Sequence, residues 1–128
     1  MASFASDRAR LVRLGAWAMA FGVALGAFGA HGLKARLAPD LLAVYETGVR
    51  YHLVHGLALF VAAWLAGEDQ TRSARLAGVL FVVGILLFSG SLYLLALTGV
   101  RALGAITPIG GVAWIAAWAI IALRVRLR

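Results

Sequence analysis

The chain has no cysteine, two prolines and five carboxylates in 128 residues. Without cysteine there can be no disulfide, thiolate zinc site or cysteine nucleophile, and the redox compartment stays undetermined. The carboxylates are Asp7, Asp40, Glu46, Glu68 and Asp69, and all lie outside the long apolar runs. Small four-helix multidrug exporters use a membrane-embedded carboxylate to exchange protons for cations, and this chain offers none. Paired-carboxylate hydrolysis, the HExxH zinc site, the GxSxG elbow and the phosphate loop are missing too. A non-enzymatic protein is expected, with no cofactor.

What is present is apolar. Hydrophobic residues make up 63% of the chain and charged ones 13%, where soluble domains run near ~45–50% and ~25%. Mean hydropathy is +0.94. A single domain of this size cannot hide so much apolar surface from water, because even a ~150-residue fold leaves roughly 30% of it exposed. Lipid must be part of the solvent. The net charge of +7 comes from basic residues that are all arginine except Lys34. In a soluble chain that would suggest nucleic acid. Here the arginines flank apolar runs, so they read as topogenic, with membrane lipids rather than nucleic acid as partners.

Crossing ~30 Å of hydrocarbon takes roughly 17–25 helical residues. Residues 14–30, 76–98 and 103–123 qualify, the last if Pro108 is tolerated. The run 53–66 is short and needs residues 49–52 as well, which places His52 and His55 at the far membrane boundary. The expected fold is all-α: one integral membrane four-helix bundle over 1–128, with helices at about 11–31, 41–66, 74–98 and 103–125. An amphipathic segment precedes the second helix. Ala27-Phe28-Gly29 imitates a signal cleavage site, but the further spans favour an uncleaved first helix.

Four spans put Arg8, Arg10, Arg13, Arg72, Arg75, Arg124, Arg126 and Arg128 on one side. Lys34, Arg36, Arg50 and Arg101 fall on the other. The positive-inside rule then expects both termini in the cytoplasm of a bacterial inner membrane. Trp17, Trp64 and Trp118 would form a belt at the arginine-rich face, with Tyr51 and Tyr93 toward the opposite one. Trp114 reads as belt or bundle contact. Pro39-Asp40 suits a helix start. Thr107-Pro108 reads either as a helix start or as a kink in a longer helix.

In lipid, helices associate through close backbone approach and hydrogen bonds. Ala18, Gly22, Gly26 and Ala30 form a small-residue stripe, and Gly90, Gly110 and Gly111 offer further packing positions. This points to tight assembly within one chain or as a homo-oligomer. Glu46 and Arg50, one turn apart with the acid first, suit a structural ion pair. His52 and His55 share a helix face, and Tyr45 lies close to the direction of His52. The histidines read as helix fasteners, as a polar ligand pocket, or as the minimum of a haem or metal site.

Four blocks carry a resemblance. They are Ala27-Phe28-Gly29-Ala30-His31-Gly32-Leu33; Glu46-Thr47-Gly48-Val49-Arg50-Tyr51 with His55; Leu87-Phe88-Ser89-Gly90-Ser91-Leu92-Tyr93; and Thr107-Pro108-Ile109-Gly110-Gly111. In order and spacing they resemble the domain-of-unknown-function 423 family, small YgdD-like inner-membrane proteins of bacteria with eukaryotic relatives of the transmembrane protein 256 type. The resemblance implies a four-helix membrane protein of unassigned role, with no catalytic residues to transfer. It also implies glutamine at the position of His52, which leaves His31 with His55 as the better metal pair. All four blocks map to the far half of the bundle, so one polar layer is expected there. His31, His55, Ser89, Ser91, Tyr93 and Thr107 would form it as a lipid- or small-ligand-binding site. A small channel or transporter using that layer is the alternative, and a haem- or metal-binding membrane protein the third.

Overall fold

The computed structural model describes residues 2–68 and 70–126, with side chains from residue 6 onward. Asp69 and Arg128, counted above, lie outside the described residues. Four helical spans are long and apolar enough to cross a membrane: Ser6–Leu33, Pro39–Gly67, Thr71–Thr98 and Arg101–Arg124.

The first span is α1 (Ala2–Phe28), widened into a π turn over Gly29–Leu33. The second is α2 (Pro39–Gly67), which begins at the expected proline and runs without a break. The segment before the second apolar run is thus the first third of a membrane helix. The third span is broken by another π turn: α3 (Thr71–Gly84), the turn Ile85–Ser89, then α4 (Gly90–Thr98). Gly99 ends α4 in a left-handed conformation, φ 72°, its N–H bonding the Leu95 carbonyl at 2.8 Å. A 3-10 turn (Arg101–Ala105) leads into α5 (Thr107–Arg124). Pro108 sits in the first turn of α5, where a missing N–H costs nothing, so it starts a helix and kinks none.

α2 is the central element. α1 lies along one side of it, the third span along another, and α5 packs on α3 and the second π turn. α1 meets α3 only briefly. The contact of α1 with α2 follows an antiparallel register read directly from glycines. A β-carbon on Gly15 would stand 2.9 Å from Phe60, on Gly22 2.7 Å from Leu53, on Gly26 3.2 Å from Val49, and on Gly29 2.6 Å from Tyr45. From the other helix, Gly56 faces Met19 and Ala18. The stripe through Ala18, Gly22 and Gly26 is therefore spent inside the chain, letting larger α2 side chains lie against α1 backbone. Two other expected packing glycines behave differently. Gly90 meets nothing closer than the Ile85 carbonyl at 3.8 Å, and Gly111 is in ordinary contact with Phe88. Of Gly90, Gly110 and Gly111, only Gly110 comes close to a neighbouring backbone, that of Phe88.

Alanines dominate the buried core at the arginine-rich end: Ala58, Ala62, Ala63, Ala66, Ala74, Ala77 and Ala117 surround Leu59, Phe81 and Trp114. Around this core the surface is apolar. Trp17, Phe21, Leu86 and Ile115 are each more than half exposed, as a lipid solvent permits.

At the arginine-rich end Arg75 bonds the buried carboxylate of Asp7, tying α1 to α3. At the far end Arg101 bonds Asp40 at 3.0 Å across an exposed pair. These are the ion pairs among the described residues; Glu46 and Arg50 do not pair. Both are exposed, and holding two long side chains together on an open helix face costs rotamer freedom for little gain.

Candidate functional site

His52 and His55 lie near the middle of α2. α2 has 29 residues, about 43 Å at 1.5 Å per residue, and His52 stands about 20 Å from its start. Tyr45 and Gly48 are buried in the same helix, well before the apolar run that starts at Leu53.

Each polar group bonds a neighbouring span. The Tyr45 hydroxyl donates to the Leu25 carbonyl at 2.6 Å, joining α2 to α1. Ser89 donates to the Gly48 carbonyl at 2.7 Å from full burial, joining the π turn to α2. The Ser91 hydroxyl donates to the Phe88 carbonyl, so the Thr107 hydroxyl, 2.7 Å away, donates to Ser91 and joins α5 to α4. Thr107 thus fastens helices instead of capping its own. Tyr93 meets His52 Nδ1 at 3.0 Å.

His55 is the most constrained. Its Nδ1 lies 2.8 Å from the Tyr51 carbonyl, which only accepts, and its Nε2 lies 3.2 Å from the Trp118 indole N–H, which only donates. These partners fix the Nδ1–H tautomer and occupy both nitrogens. The ring also stacks on Trp114, centroids 3.7 Å apart and planes within 4°. Trp114 in turn donates to the Phe81 carbonyl at 3.1 Å through the space where Gly84 lacks a β-carbon. Tyr51, Phe81, Phe88 and Trp118 complete an aromatic cluster around this stack.

The expected convergence is therefore split. His55, Ser89, Ser91, Tyr93 and Thr107 fall in the bundle interior as separate bonded pairs. His31 is exposed on the first π turn, and the nitrogens of His55 go to other partners. His31 is two residues on from Gly29, on the side of the turn opposite the contact that Gly29 makes with Tyr45. No group of three histidine or carboxylate residues that could hold a metal occurs among the described residues. Of the tryptophans, Trp17 and Trp64 face outward, but Trp118 is bonded to His55 and Trp114 is core. The aromatic partners of His55 were missed because they sit on α5, and helical periodicity does not say which spans touch.

One cavity opens at this depth. Where α1 and the third span diverge, about 360 Å³ lies between Leu14, Trp17 and Phe21 on one wall and Val82, Leu86 and Gly90 on the other. His52, Leu59 and Tyr93 form its floor. His52 Nε2 is buried without a hydrogen-bond partner, facing the backbone of Ala18 on α1.

Residues 25–111 match a family model described as a protein of unknown function, DUF423. The chain belongs to the DUF423 family. Its relatives include the UPF0382 membrane protein YwdK of Bacillus subtilis, 51% identical over 109 residues, which covers 84% of this chain and 89% of the relative. The UPF0382 membrane protein SH2409 of Staphylococcus haemolyticus is 47% identical over 105 residues, covering 82% and 85%. No solved structure matches. The DUF423 match encloses both π turns and Tyr45, His52, His55, Ser89, Ser91, Tyr93 and Thr107, while Trp114 and Trp118 lie beyond it.

Ser91 and Thr107 offer a direct measure of the fastening. Replacing either with alanine is expected to cost about 0.6–1.7 kcal/mol, and replacing both little more than one. Unfolding of the single and double variants in mixed micelles reads the coupling; fully additive losses would mean the bond contributes nothing.

Proposed function

We propose that this DUF423 protein is a non-enzymatic membrane protein that binds a lipid in the cleft between its first and third spans. The observation that carries this reading is the cleft itself. It is walled almost entirely by carbon and opens toward the bilayer, while the polar groups beside it are mostly engaged with one another. The channel alternative would need a polar route along the bundle, and the hydroxyls of Ser89, Ser91 and Thr107 and both nitrogens of His55 face partners, not a lumen. A haem or metal reading would have to strip His55 of Trp118 or Tyr51.

The bias of arginines supports an inner-membrane location with both termini in the cytoplasm. Self-assembly fits one further surface. Glu46 and Arg50 lie unpaired beside Gly26 and Ala30 around a shallow hollow. A two-fold axis there would set Glu46 of each copy against Arg50 of the other.

Gly90→Leu tests the cleft, since Gly90 lines it and a β-carbon there meets nothing closer than the Ile85 carbonyl at 3.8 Å, so the added side chain takes up cleft volume. Native mass spectrometry of protein extracted in mild detergent should show phospholipid bound to the wild type and several-fold less on Gly90→Leu. Equal lipid on both would refute the cleft as the site.

A further inference from the structure

The cleft continues to the arginine-rich end of the bundle. A second cavity of about 550 Å³ shares Leu14 and Val82 with the first and ends among Asp7, Arg10 and Arg75. The two form one trough between α1 and the third span. From Arg10 to Phe21 the α1 wall rises about 16 Å, close to the half-thickness of a ~30 Å hydrocarbon core. One end is cationic, and the rest is apolar.

We infer that this trough is a site for one anionic phospholipid, its phosphate held by Arg10 and Arg75 and an acyl chain laid along Leu14, Val82 and Phe21 toward Gly90. This rests on the cleft reading above and adds the headgroup to it. The mouth holds two guanidiniums and one carboxylate. Arg75 spends one N–H on Asp7 and keeps most of its side chain exposed, while Arg10 is in no ion pair among the described residues. A guanidinium presents several donors to phosphate oxygens in a fixed fork, so Arg75 can serve Asp7 and a phosphate together. Asp7 places Arg75 at the mouth and is itself 7% exposed, leaving the arginines as the groups a headgroup meets. A zwitterionic lipid would gain less, because its own cation opposes the same arginines. A helix of a second copy would fill the apolar length but leave the guanidiniums without an anion.

The test is competition between phosphatidylglycerol and phosphatidylcholine, offered in equal amounts to delipidated protein and read by native mass spectrometry. Wild type should retain the anionic lipid preferentially, by about fivefold per arginine engaged. Arg10→Gln should reduce that preference about fivefold, lowering phosphatidylglycerol binding more than phosphatidylcholine binding. The paired variant Asp7→Asn/Arg75→Gln, which leaves no orphan charge, should do the same. Arg36→Gln, at the opposite end, should keep the wild-type ratio. Equal retention of both lipids by wild type would overturn the headgroup assignment. So would an equal loss from Arg36→Gln and Arg10→Gln. A dimer without lipid, dissociated by Gly90→Leu, would overturn it in favour of a second copy. If Gly90→Leu lowers both lipids while the arginine variants change nothing, the cleft stands and the headgroup falls. If it lowers neither, both readings fall.

Discussion

Gly110→Ala is expected to destabilise the bundle by about 2–3 kcal/mol, although alanine outranks glycine in helices by ~1 kcal/mol. The added β-carbon would stand 2.4 Å from the Phe88 amide nitrogen and 2.9 Å from its Cα. Those are main-chain atoms of the second π turn, held from the other side by Ser89 on Gly48. Neither can rotate out of the way as a side chain could, so α5 must move off the third span. That motion would also open the Ser91–Thr107 bond. Gly111→Ala is the matched control: its nearest neighbour is the Phe88 ring at 3.7 Å, and alanine there should be neutral or mildly stabilising. Denaturant titration in mixed micelles, followed by tryptophan fluorescence, separates the two. Unchanged stability of Gly110→Ala would mean that the close approach of α5 to Phe88 does not exist in the folded protein.

His55→Ala should be more damaging still, about 3–5 kcal/mol, comparable to removing a buried aromatic ring. It deletes the ring stacked on Trp114 and strands the Trp118 indole N–H inside hydrocarbon. Trp118→Phe keeps an aromatic ring but gives up the hydrogen bond and part of the indole that packs on Phe81, so a loss of about 1–2 kcal/mol, smaller than that of His55→Ala, is expected. In the double variant the Trp118 substitution should add little, because its partner is already gone. His31→Ala, on an exposed turn, should cost close to nothing and add independently to His55→Ala. A strong coupling between the two histidines would restore the shared layer that the geometry separates.

Much of the architecture was legible from residue order alone. Four apolar runs fixed the number of spans, Pro39 marked a helix start, Pro108 left a start and a kink both open, and the spacing of Gly22 and Gly26 announced a tight contact. The partners of that contact were not legible. Nothing in the sequence of α1 says that Phe60, Leu53, Val49 and Tyr45 lie against its glycines, since many registers satisfy the same stripe. Burial ahead of the second apolar run was not legible for a related reason. Hydropathy measured the second span from Leu53, whereas Tyr45 and Gly48 are buried by packing on α1 and Tyr93. The π turns carry no composition signal, and Gly90 lines a cavity just past the second of them. The trough was invisible too, because it exists where two spans fail to touch.

The widened turn at Ile85–Ser89 has one more effect. Each helical residue advances about 100° around its axis, so the additional residue offsets the angular phase of α4 against α3. Phe81 and Gly84 can then address Trp114 while Ser91 and Tyr93 address Thr107 and His52. The stretch acts as a spacer whose length matters more than its letters. Apolar exchanges at Leu86 or Leu87 leave the phase intact, whereas losing a single position would swing the whole following segment out of alignment with both of its neighbours.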